Sequence, residues 1–561
     1  MRDDYKLDIL CDNNRLTEAG GYSMGENKYV LAMYDVRGKQ DFIFRTNKLQ
    51  EIVGASWLIR DVFKDYLFPV AMGYKESEGI YNYCEGEEFS TDAFADHVNN
   101  QNYIGEVVYE GGGNFIVLFK DAESFKEITY LFTKKIMEEV GTLHVLGTYV
   151  GIDDFSDYAK DRAALYKKHR IHEAQESNIS PWSCLPIVQV DRKNSQPLVD
   201  YDFAGKGIAT DIKGKILQKG VEGKLSKESI AKLIKFYSEK GKIDKKSEEN
   251  LTESEKSLYG KNEDILDNLV TEKGKDSQLA VVYIDGNNMG AKVQAATSDV
   301  RSYEESVNVL REFSQKTQKI YVEDGAEHAL NGLRTFRLVV SAGDEINFIV
   351  NAHDAFKCAR QYLDYLKGLK EEGASACAGI AVFHSHAPYA DVYRIAEEAC
   401  ESGKQKMKAA ILDRASFIDF HICQGAIGVS LEEIRDEENG RTISRPWLMW
   451  SDSEAGNKSE NVTDYDQMVQ PKLEFLREFA RTNVKGLISA AKEGLVPLQM
   501  EINRMYGHAK PELKEKWEKK WEDLMKQLGG KSEEVDPEDV RSIIYDLALA
   551  YDLWFANEVK G

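Results

Sequence analysis

The sequence predicts an α/β (α+β) fold with two ferredoxin-like domains, a helical region between them and a helical C-terminal region. Two observations predict it. An apolar, β-branched strand that contains an aspartate near its end occurs twice, at 29–38 and at 279–290. Each strand is followed, further along the chain, by a hairpin with small residues in its turn, at 107–119 and at 336–350. This weak internal repeat indicates two copies of one folding unit.

Each copy runs in the order strand, helix, hairpin, helix, strand, and closes with a strand at 144–152 or at 375–383. That order is typical of the split βαβ unit, in which the first strand lies beside the hairpin. In the second copy, the arrangement brings Asp285, at the tip of the first strand, next to Asp344 and Glu345 in the hairpin turn.

The two copies differ in their acidic residues. The turn of the second hairpin is Ala-Gly-Asp-Glu at 342–345, whereas the turn of the first is Gly-Gly-Gly-Asn at 111–114 and carries no acid. Asp35, which ends the first strand of the first copy, is therefore left without partners. We predict that the second copy carries the chemistry and that the first is a degenerate structural partner.

The same pattern divides the chain into five parts. The stretch between the copies is helical and rich in loops. After Cys423 the apolar residues recur at helical spacing, at 470–493, at 510–528 and in a final aromatic-rich helix from Pro537, and we expect those faces in the core. The predicted parts are an N-terminal extension at 1–27, the first copy at 28–155, a helical linker domain at 156–275, the second copy at 276–425 and a helical C-terminal domain at 426–561.

Composition and charge limit the classes of function. The 561 residues are 42% hydrophobic and carry a net charge of −22, which is opposite in sign to that of a protein that wraps nucleic acid. Any RNA contact must therefore be local or arranged through partner subunits. The lysine-rich stretch at 206–275 is the best candidate, but its interleaved acids favour a solvated helical face.

The sequence also predicts a cytoplasmic protein without a membrane segment. No apolar run approaches the length of about 20 residues that spans a bilayer, and the charged N-terminus has no following apolar block as a signal peptide would. The seven cysteines are scattered and never form a CxxC pair, which fits a reducing compartment and argues against a zinc ribbon. Cys377 and Cys400 lie in apolar segments and are expected to be buried.

Three carboxylates at one end of a sheet repel one another unless a cation offsets their charge. Mg²⁺ and Mn²⁺ prefer oxygen ligands and are the expected ions, with Asp285, Asp344 and Glu345 as ligands. Two such ions about 4 Å apart activate a hydroxyl and hold the leaving pyrophosphate in phosphoryl transfer. We therefore predict a two-metal site for a nucleoside triphosphate, with these three acids as catalytic residues.

Residues around the acids are expected to contact the nucleotide. Gly286 and Gly343 let backbone N–H groups approach phosphate oxygens. Lys404 is either a phosphate contact or an ordinary complement to the dipole at the end of its helix. His384 and His386 form an HxH pair without an evident third ligand, which favours a loop pair over a metal site. The predicted nucleotide-binding set is Gly286, Asn287, Asn288, Ser341, Gly343, Lys404 and Lys408.

These motifs resemble the large Palm-domain subunit of type III CRISPR effectors, a polymerase/cyclase family related to diguanylate cyclases. The resemblance covers about 28–155 and 276–425 and is compatible with the helical C-terminal region. The motifs that carry it are Asp-Val-Arg-Gly-Lys-Gln-Asp-Phe-Ile-Phe at 35–44, Gly-Gly-Gly-Asn at 111–114, Asp-Gly-Asn-Asn-Met-Gly at 285–290 and Ala-Gly-Asp-Glu at 342–345.

The resemblance implies Mg²⁺-dependent joining of ATP into cyclic oligoadenylates that activate antiviral effectors. Carried over by position, it makes the three acids metal ligands and Lys404 a phosphate contact. The family turn is usually Gly-Gly-Asp-Asp; here Ala342 replaces the first glycine, and Glu345 replaces the second aspartate and keeps its charge. No His-Asp nuclease motif precedes the first copy, so DNA cleavage is not expected. The zinc-binding cysteines often found between the Palm domains are reduced to Cys184, so no structural zinc is expected.

The sequence thus predicts a nucleotidyltransferase that makes a cyclic or linear oligoadenylate-type signal from ATP or another NTP, with RNA and defence-complex subunits as candidate partners. Two alternatives stay open. One is a non-catalytic scaffold subunit that binds RNA or partner proteins. The other is a synthase that makes a cyclic dinucleotide from GTP. The acids of the second turn, absent from the first, favour an enzyme over a scaffold.

Overall fold

The structure is a computed structural model. It describes residues 28–111, 113–152, 154–175, 187–220, 223–245, 269, 278–298, 302–333, 335–423, 428–439, 443–452, 462–531 and 535–555. The expectations for the N-terminal extension and for Cys184 lie outside these residues.

The first copy folds as a five-stranded sheet in the order β2-β3-β4-β1-β5. The central strand pairs antiparallel with β4 on one side and β5 on the other, which is the predicted ferredoxin-like arrangement. Its strands are β1 (Tyr29–Arg37), β2 (Gly79–Tyr81), β3 (Tyr103–Gly111), β4 (Asn114–Phe119) and β5 (His144–Ile152). Its helices are α1 (Lys39–Phe44), α2 (Leu49–Arg60), α3 (Phe68–Met72), α4 (Thr91–Asn99) and α5 (Ala122–Glu139).

The stretch between the copies is largely helical, as expected. It contains α6 (Tyr158–Gln175), α7 (Thr210–Leu217), α8 (Lys227–Lys245) and a small ladder of β6 (Leu198–Val199) with β7 (Leu225–Ser226). Helix α8 packs against α2, where Gly54 permits the contact, since a Cβ there would lie 2.0 Å from the carbonyl oxygen of Lys232.

This packing corrects the expectation for two residues of the lysine-rich stretch, whereas others, such as Lys213 and Lys215, are exposed as expected. Lys232 is 0% exposed, and its ammonium donates to Glu228 at 2.6 Å. Lys235 is also buried, with Asp61 at 2.6 Å and Asp65 at 2.7 Å. Both lysines lie on the face that α8 presents to the first copy. They therefore belong neither to a solvated face nor to a surface for RNA.

The second copy folds as a seven-stranded sheet in the order β14-β13-β12-β11-β8-β10-β9, with β8 antiparallel to β10 and to β11. The ferredoxin-like prediction is confirmed here too. Its strands are β8 (Gln278–Gly286), β9 (Arg337–Ala342), β10 (Glu345–Asn351), β11 (Ala376–His384), β12 (Ala415–Ile422), β13 (Trp447–Ser451) and β14 (Thr463–Asp464). Its helices are α9 (Met289–Ser298), α10 (Tyr303–Thr317), α11 (Gly325–Leu330), α12 (Ala355–Gly368), α13 (Tyr389–Ala409) and α14 (Leu431–Asn439).

The C-terminal region was predicted to be helical throughout, which is wrong at two strands. β13 and β14 extend the second sheet, because the buried run Trp447–Ser451 pairs with β12. The remaining chain forms α15 (Gln470–Leu476), α16 (Arg481–Glu493), α17 (Leu495–Gly507), α18 (Pro511–Leu528) and α19 (Pro537–Ala550). The predicted helix at 470–493 is two helices, because the chain turns at 477–480 while the apolar periodicity continues into the core.

The C-terminal helices share one core with the second sheet. The aromatic residues at the end of the chain are buried as expected, and Trp554 stacks on Phe356 of α12 with the ring centroids 5.2 Å apart. Cys377 and Cys400 are buried too, as predicted. In the described part of the chain, no helix has the length and apolar character that crossing a membrane requires.

A buried ionic network joins the second sheet to the last helix. Asp419 on β12 accepts two hydrogen bonds from Arg435, at 2.7 and 3.0 Å. Arg445 lies 3.5 Å from Asp419 and 3.4 Å from Asp546 of α19, and these three side chains are 0% exposed. Although burial works in the opposite direction, the neighbouring Arg435 keeps the pKa of Asp419 below its usual value.

We expect Asp419→Asn to lower the free energy of unfolding by about 3–5 kcal/mol, because it leaves two buried guanidinium groups with a single carboxylate. Urea unfolding followed by circular dichroism measures the change. Asp364→Asn is the matched control, since Asp364 pairs with Arg360 where the two side chains are 53% and 40% exposed. It should leave the unfolding midpoint in place, and an equal loss in both variants would contradict the prediction.

Candidate active site between the two ferredoxin-like domains

The register of the second sheet brings the three predicted acids together. Asp285 of β8 lies directly opposite Glu345 of β10. The N–H of Gly286 donates to the carbonyl oxygen of Asp344 at 3.1 Å. A Cβ at Gly286 would lie 3.0 Å from both the Cβ and Oδ2 of Asp344. Glycine at 286 therefore leaves the space that the Asp344 side chain occupies beside the end of β8.

Burial and mutual repulsion raise the pKa values of two of these acids. Burial, and then the charge of Asp285, raise the pKa of Asp344 to about 7. Burial and the charge of Asp285 likewise raise the pKa of Glu345 to about 7. Close carboxylates that cannot all ionise at neutral pH need a positive charge beside them.

Two lysines supply part of that charge. The ammonium group of Lys404 on α13 lies 2.6 Å from Oδ2 of Asp285 and donates to the carbonyl oxygen of Gly286 at 2.9 Å. Lys404 thus contacts the acids and does not merely complement its helix dipole. Lys292 on α9 lies near Asp344; burial lowers its pKa to about 8, while the charge of Asp344 acts in the opposite direction. Lys292 was not expected from the sequence, although it lies one helical turn after Asn288.

The first copy has the same strand register, but the residues of its hairpin turn are neutral instead of acidic. Asp35 of β1 lies opposite Asn114 of β4, as Asp285 lies opposite Glu345. Gly113 therefore stands where the second copy has Asp344. A Cβ at Gly113 would lie 2.1 Å from the ammonium nitrogen of Lys39, so a lysine fills the space beside this turn.

Asp35 is not without partners, which corrects the sequence-based expectation. Its carboxylate accepts a hydrogen bond from Arg37 at 3.0 Å and lies 3.6 Å from His169 on α6. Burial opposes ionisation, but the hydrogen bonds from His169 and Arg37 keep the pKa of Asp35 below its usual value. The expectation failed because His169 lies more than a hundred residues away and reaches Asp35 only through the fold. Arg37 of the first copy and His169 of the region between the copies therefore hold the carboxylate of Asp35.

A cleft of about 1700 Å³ separates the turns of the two copies. Asp285, Gly343, Asp344 and Glu345 line it on one side, and Gly113 lies on the other. Among the described residues, eight acidic side chains, the three acids of the second copy among them, and six cationic side chains line the cleft. The cationic side chains are Lys39, Arg60, Arg162, Arg170, Lys316 and Lys319.

The other predicted nucleotide contacts are placed differently. Asn287 is 1% exposed, and its amide donates to the carbonyl oxygen of Ala415 at 2.9 Å, so it ties β8 to β12. Asn288 takes the left-handed backbone conformation at φ 57° and begins α9. Gly343, at φ 66°, turns the hairpin and lines the cleft. The backbone of Ser341 pairs with Ile346. Lys408 is exposed one turn beyond Lys404.

The donor set fits a hard divalent cation. Three carboxylates lie at one strand end, and two of them have pKa values raised by burial and by one another, which is the situation that an oxygen-liganded cation relieves. Among the described residues, no group of three or more His, Cys, Asp or Glu side chains lies at metal-ligand spacing. An oxygen of Asp285 faces Lys404 instead. The two-metal site thus stays a prediction.

One segment of the chain matches a known protein family. Residues 278–412 match the family profile described as Cas10/Cmr2, second palm domain. The matched segment contains all three acids, Lys292 and Lys404. This part of the chain is therefore similar to a Cas10-type palm domain. A search of curated proteins found no match.

Several solved structures are similar to this chain over most of its length. The apo Csm1–Csm4 cassette matches at 12% identity and a TM-score of 0.50, over 93% of this chain and 70% of that chain. The Csm1–Csm4 cassette in complex with AMPPNP has 13% identity and a TM-score of 0.48, over 95% and 71% of the two chains. Csm1 of T. onnurineus has 13% identity and a TM-score of 0.46, over 94% and 70%. The TM-score of 0.50 for the apo cassette supports a shared fold.

Tyr393 is a further residue that the sequence-based analysis missed. Its hydroxyl on α13 donates to Oε1 of Glu345 at 2.9 Å. The signal was present in the helical spacing, because Tyr393 and Lys404 are eleven residues apart and so lie about three turns apart on one helix face.

We expect Asp344→Asn to stabilise the metal-free protein by about 1–3 kcal/mol at pH 8, and by much less at pH 5. A carboxyl group with a raised pKa holds its proton more tightly in the folded state than in the unfolded chain. Folding therefore loses stability as the pH rises from about 4 through 7, and the asparagine removes that loss. Urea unfolding in EDTA at both pH values measures the difference in the free energy of unfolding between the variant and the wild type.

Asp35→Asn is the matched control at the equivalent position of the first copy. Because the pKa of Asp35 is lowered in the folded state, its carboxylate contributes stability above about pH 4, and the substitution should destabilise the protein at pH 8. Destabilisation by both substitutions at pH 8 would show that the acids of the second copy do not repel one another as described.

Proposed function

We propose that this protein is a metal-dependent nucleotidyltransferase that joins ATP into a cyclic or linear oligoadenylate-type signal of antiviral defence. The observation that carries the proposal is the position of Asp285, Asp344 and Glu345, which lie together at one strand end and face a large cleft that also contains lysine and arginine side chains. The family match of the surrounding segment to a Cas10/Cmr2 palm domain supports the same reaction class.

The size of the cleft suits a reaction between two nucleotides. Pockets for one drug-sized ligand usually have about 300–1,000 Å³, and this cleft has about 1700 Å³. Joining two nucleotides needs one molecule to supply a hydroxyl and another to supply the attacked phosphate. The arginines and lysines along the walls would neutralise the two triphosphates, which carry several negative charges each.

The residues of the turn have separable roles in this proposal. Asp285, Asp344 and Glu345 would hold the divalent cations, and such ions, when bound, neutralise phosphate charge and favour ionisation of the attacking hydroxyl. The backbone at Gly343 can approach phosphate oxygens without a Cβ in the way, whereas Gly286 leaves room for the Asp344 side chain. Lys404, which now contacts Asp285, would contact a phosphate near the acids.

The proposal extends to the protein's partners. The matched apo structure is a Csm1–Csm4 cassette, and we propose that this chain also works beside partner subunits of a type III CRISPR-like complex. RNA would then reach the complex through those subunits, in keeping with the net charge of −22.

The purified chain, incubated with each NTP and Mg²⁺ or Mn²⁺, is expected to convert ATP into oligoadenylates detected by mass spectrometry. Asp344→Ala/Glu345→Ala should lower the yield by a factor of about 10² or more, because groups that hold the reacting charge typically contribute that much. The assay is repeated with candidate activating RNA and partner subunits, since the activator is part of the proposal.

The first copy offers the control for this experiment. Asp35→Asn removes the equivalent acid on the other side of the fold, where Arg37 and His169 bind it. Assayed well below its unfolding midpoint, this variant should retain product formation. If wild type and double variant leave every NTP unchanged under all these conditions, the enzyme proposal fails and a scaffold is indicated. A cyclic dinucleotide formed from GTP alone would overturn the choice of ATP.

A further inference from the structure

Glu345 has a dedicated hydrogen-bond donor. The hydroxyl of Tyr393 donates to Oε1 of Glu345 at 2.9 Å, and Tyr393 is only 3% exposed. The ring also packs edge-on against Tyr283 of β8, with the centroids 5.4 Å apart. The Tyr393 ring, and with it the hydroxyl donor, thus packs against the strand that carries Asp285.

We infer that Tyr393 is a positioning residue for the metal site: it fixes the carboxylate of Glu345 for a divalent cation, and Phe44 of the first copy fixes Tyr393 in turn. The inference rests on the proposed metal-dependent function. It gives the degenerate first copy a role in the metal site of the second copy.

The chemistry of Glu345 explains why such a donor is needed. Glutamate has one more rotatable bond than aspartate, and ordering its side chain costs more conformational entropy. A single hydroxyl donor binds one carboxylate oxygen, Oε1, and leaves Oε2 for a cation. Hydrogen bonds to metal-ligating carboxylates orient the ligand in this way, and their loss typically weakens metal affinity by about 10–100-fold.

The first copy contacts this donor through α1. The ring of Phe44 lies 4.2 Å from the ring of Tyr393, centroid to centroid. One turn earlier on α1, the amide of Gln40 donates to Glu397, which lies one turn after Tyr393 on α13. Two contacts at matching helical spacing fix α1 against α13. The position of the Tyr393 ring is therefore determined from both copies.

Tyr389 provides a matched control on the same helix. It lies one turn before Tyr393 and is likewise 3% exposed. Its hydroxyl donates to Oδ1 of Asn347 at 2.7 Å, two residues beyond Glu345 on β10. Tyr389→Phe and Tyr393→Phe thus remove the same group from similar surroundings. They differ in whether the lost hydrogen bond holds Glu345.

The test is direct Mn²⁺ binding to the full chain, measured by electron paramagnetic resonance of free Mn²⁺ together with unfolding midpoints. Tyr393→Phe should weaken Mn²⁺ affinity by about 10-fold or more, and Tyr389→Phe by less than about 2-fold, although both lose one buried hydrogen bond of similar worth. Phe44→Ala should weaken affinity in the same direction, and Phe44→Leu should restore part of it because the leucine refills the contact.

Glu345→Gln separates the inference from the proposed function. If Glu345→Gln loses Mn²⁺ affinity while Tyr393→Phe binds like wild type, the positioning role is wrong and the metal site stands. If Tyr393→Phe and Tyr389→Phe weaken binding equally, the effect is a general one of packing and the inference is also overturned. If wild type binds no Mn²⁺, with and without ATP, the metal-dependent function fails and the inference fails with it.

Discussion

Electrostatic repulsion at one end of the second sheet is the constraint on which much of this structure depends. Antiparallel pairing of β8 with β10 forces Asp285 and Glu345 to face each other, and the hairpin turn adds Asp344. Partial burial weakens the screening of these charges by water. Lys404 offsets the charge of Asp285 at 2.6 Å, while burial and the charge of Asp285 raise the pKa values of Asp344 and Glu345 to about 7.

Helix α13 is the element that connects this repulsion to the rest of the fold. It carries two side chains that contact the cluster, Tyr393 on Glu345 and Lys404 on Asp285. The same helix packs against α1 through Phe44. Helix α13 therefore links the two copies, because each contributes contacts to it.

The sequence predicted the part of the site that follows from strand periodicity and topology. Two apolar strands and two hairpin turns were enough to place Asp285 beside Asp344 and Glu345, since the split βαβ order leaves little freedom in register. Contacts that depend on how helices dock were not predictable. Tyr393 looked like an ordinary core aromatic residue, and Lys232 looked like a solvated lysine, because burial of a charge depends on a distant partner.

The strands of the C-terminal region were not predicted for a similar reason. β13 is a short apolar run, Trp447–Ser451, and such runs do not distinguish a strand from a buried helix segment by periodicity. Asn287 was assigned to the nucleotide because it follows Asp285, yet its amide joins β8 to β12. Local sequence showed where polar groups lie along the strand. Only the packing of the sheet showed which of them point inward.

The loss of acids from the first copy is best understood as a requirement of the shared cleft. Both turns line the same space, and a second set of acids there would add negative charge to a region that already carries carboxylates it cannot neutralise. Gly113 and Asn114 remove those charges, and Lys39 fills the space beside the turn with a cation. Asp35 is retained but bound by Arg37 and His169. The asymmetry leaves the acids of one turn in a cleft that is also lined by cationic side chains. Such a cleft can attract both a cation and the polyphosphate that the cation neutralises, whereas a symmetric pair of acidic turns would repel the polyphosphate.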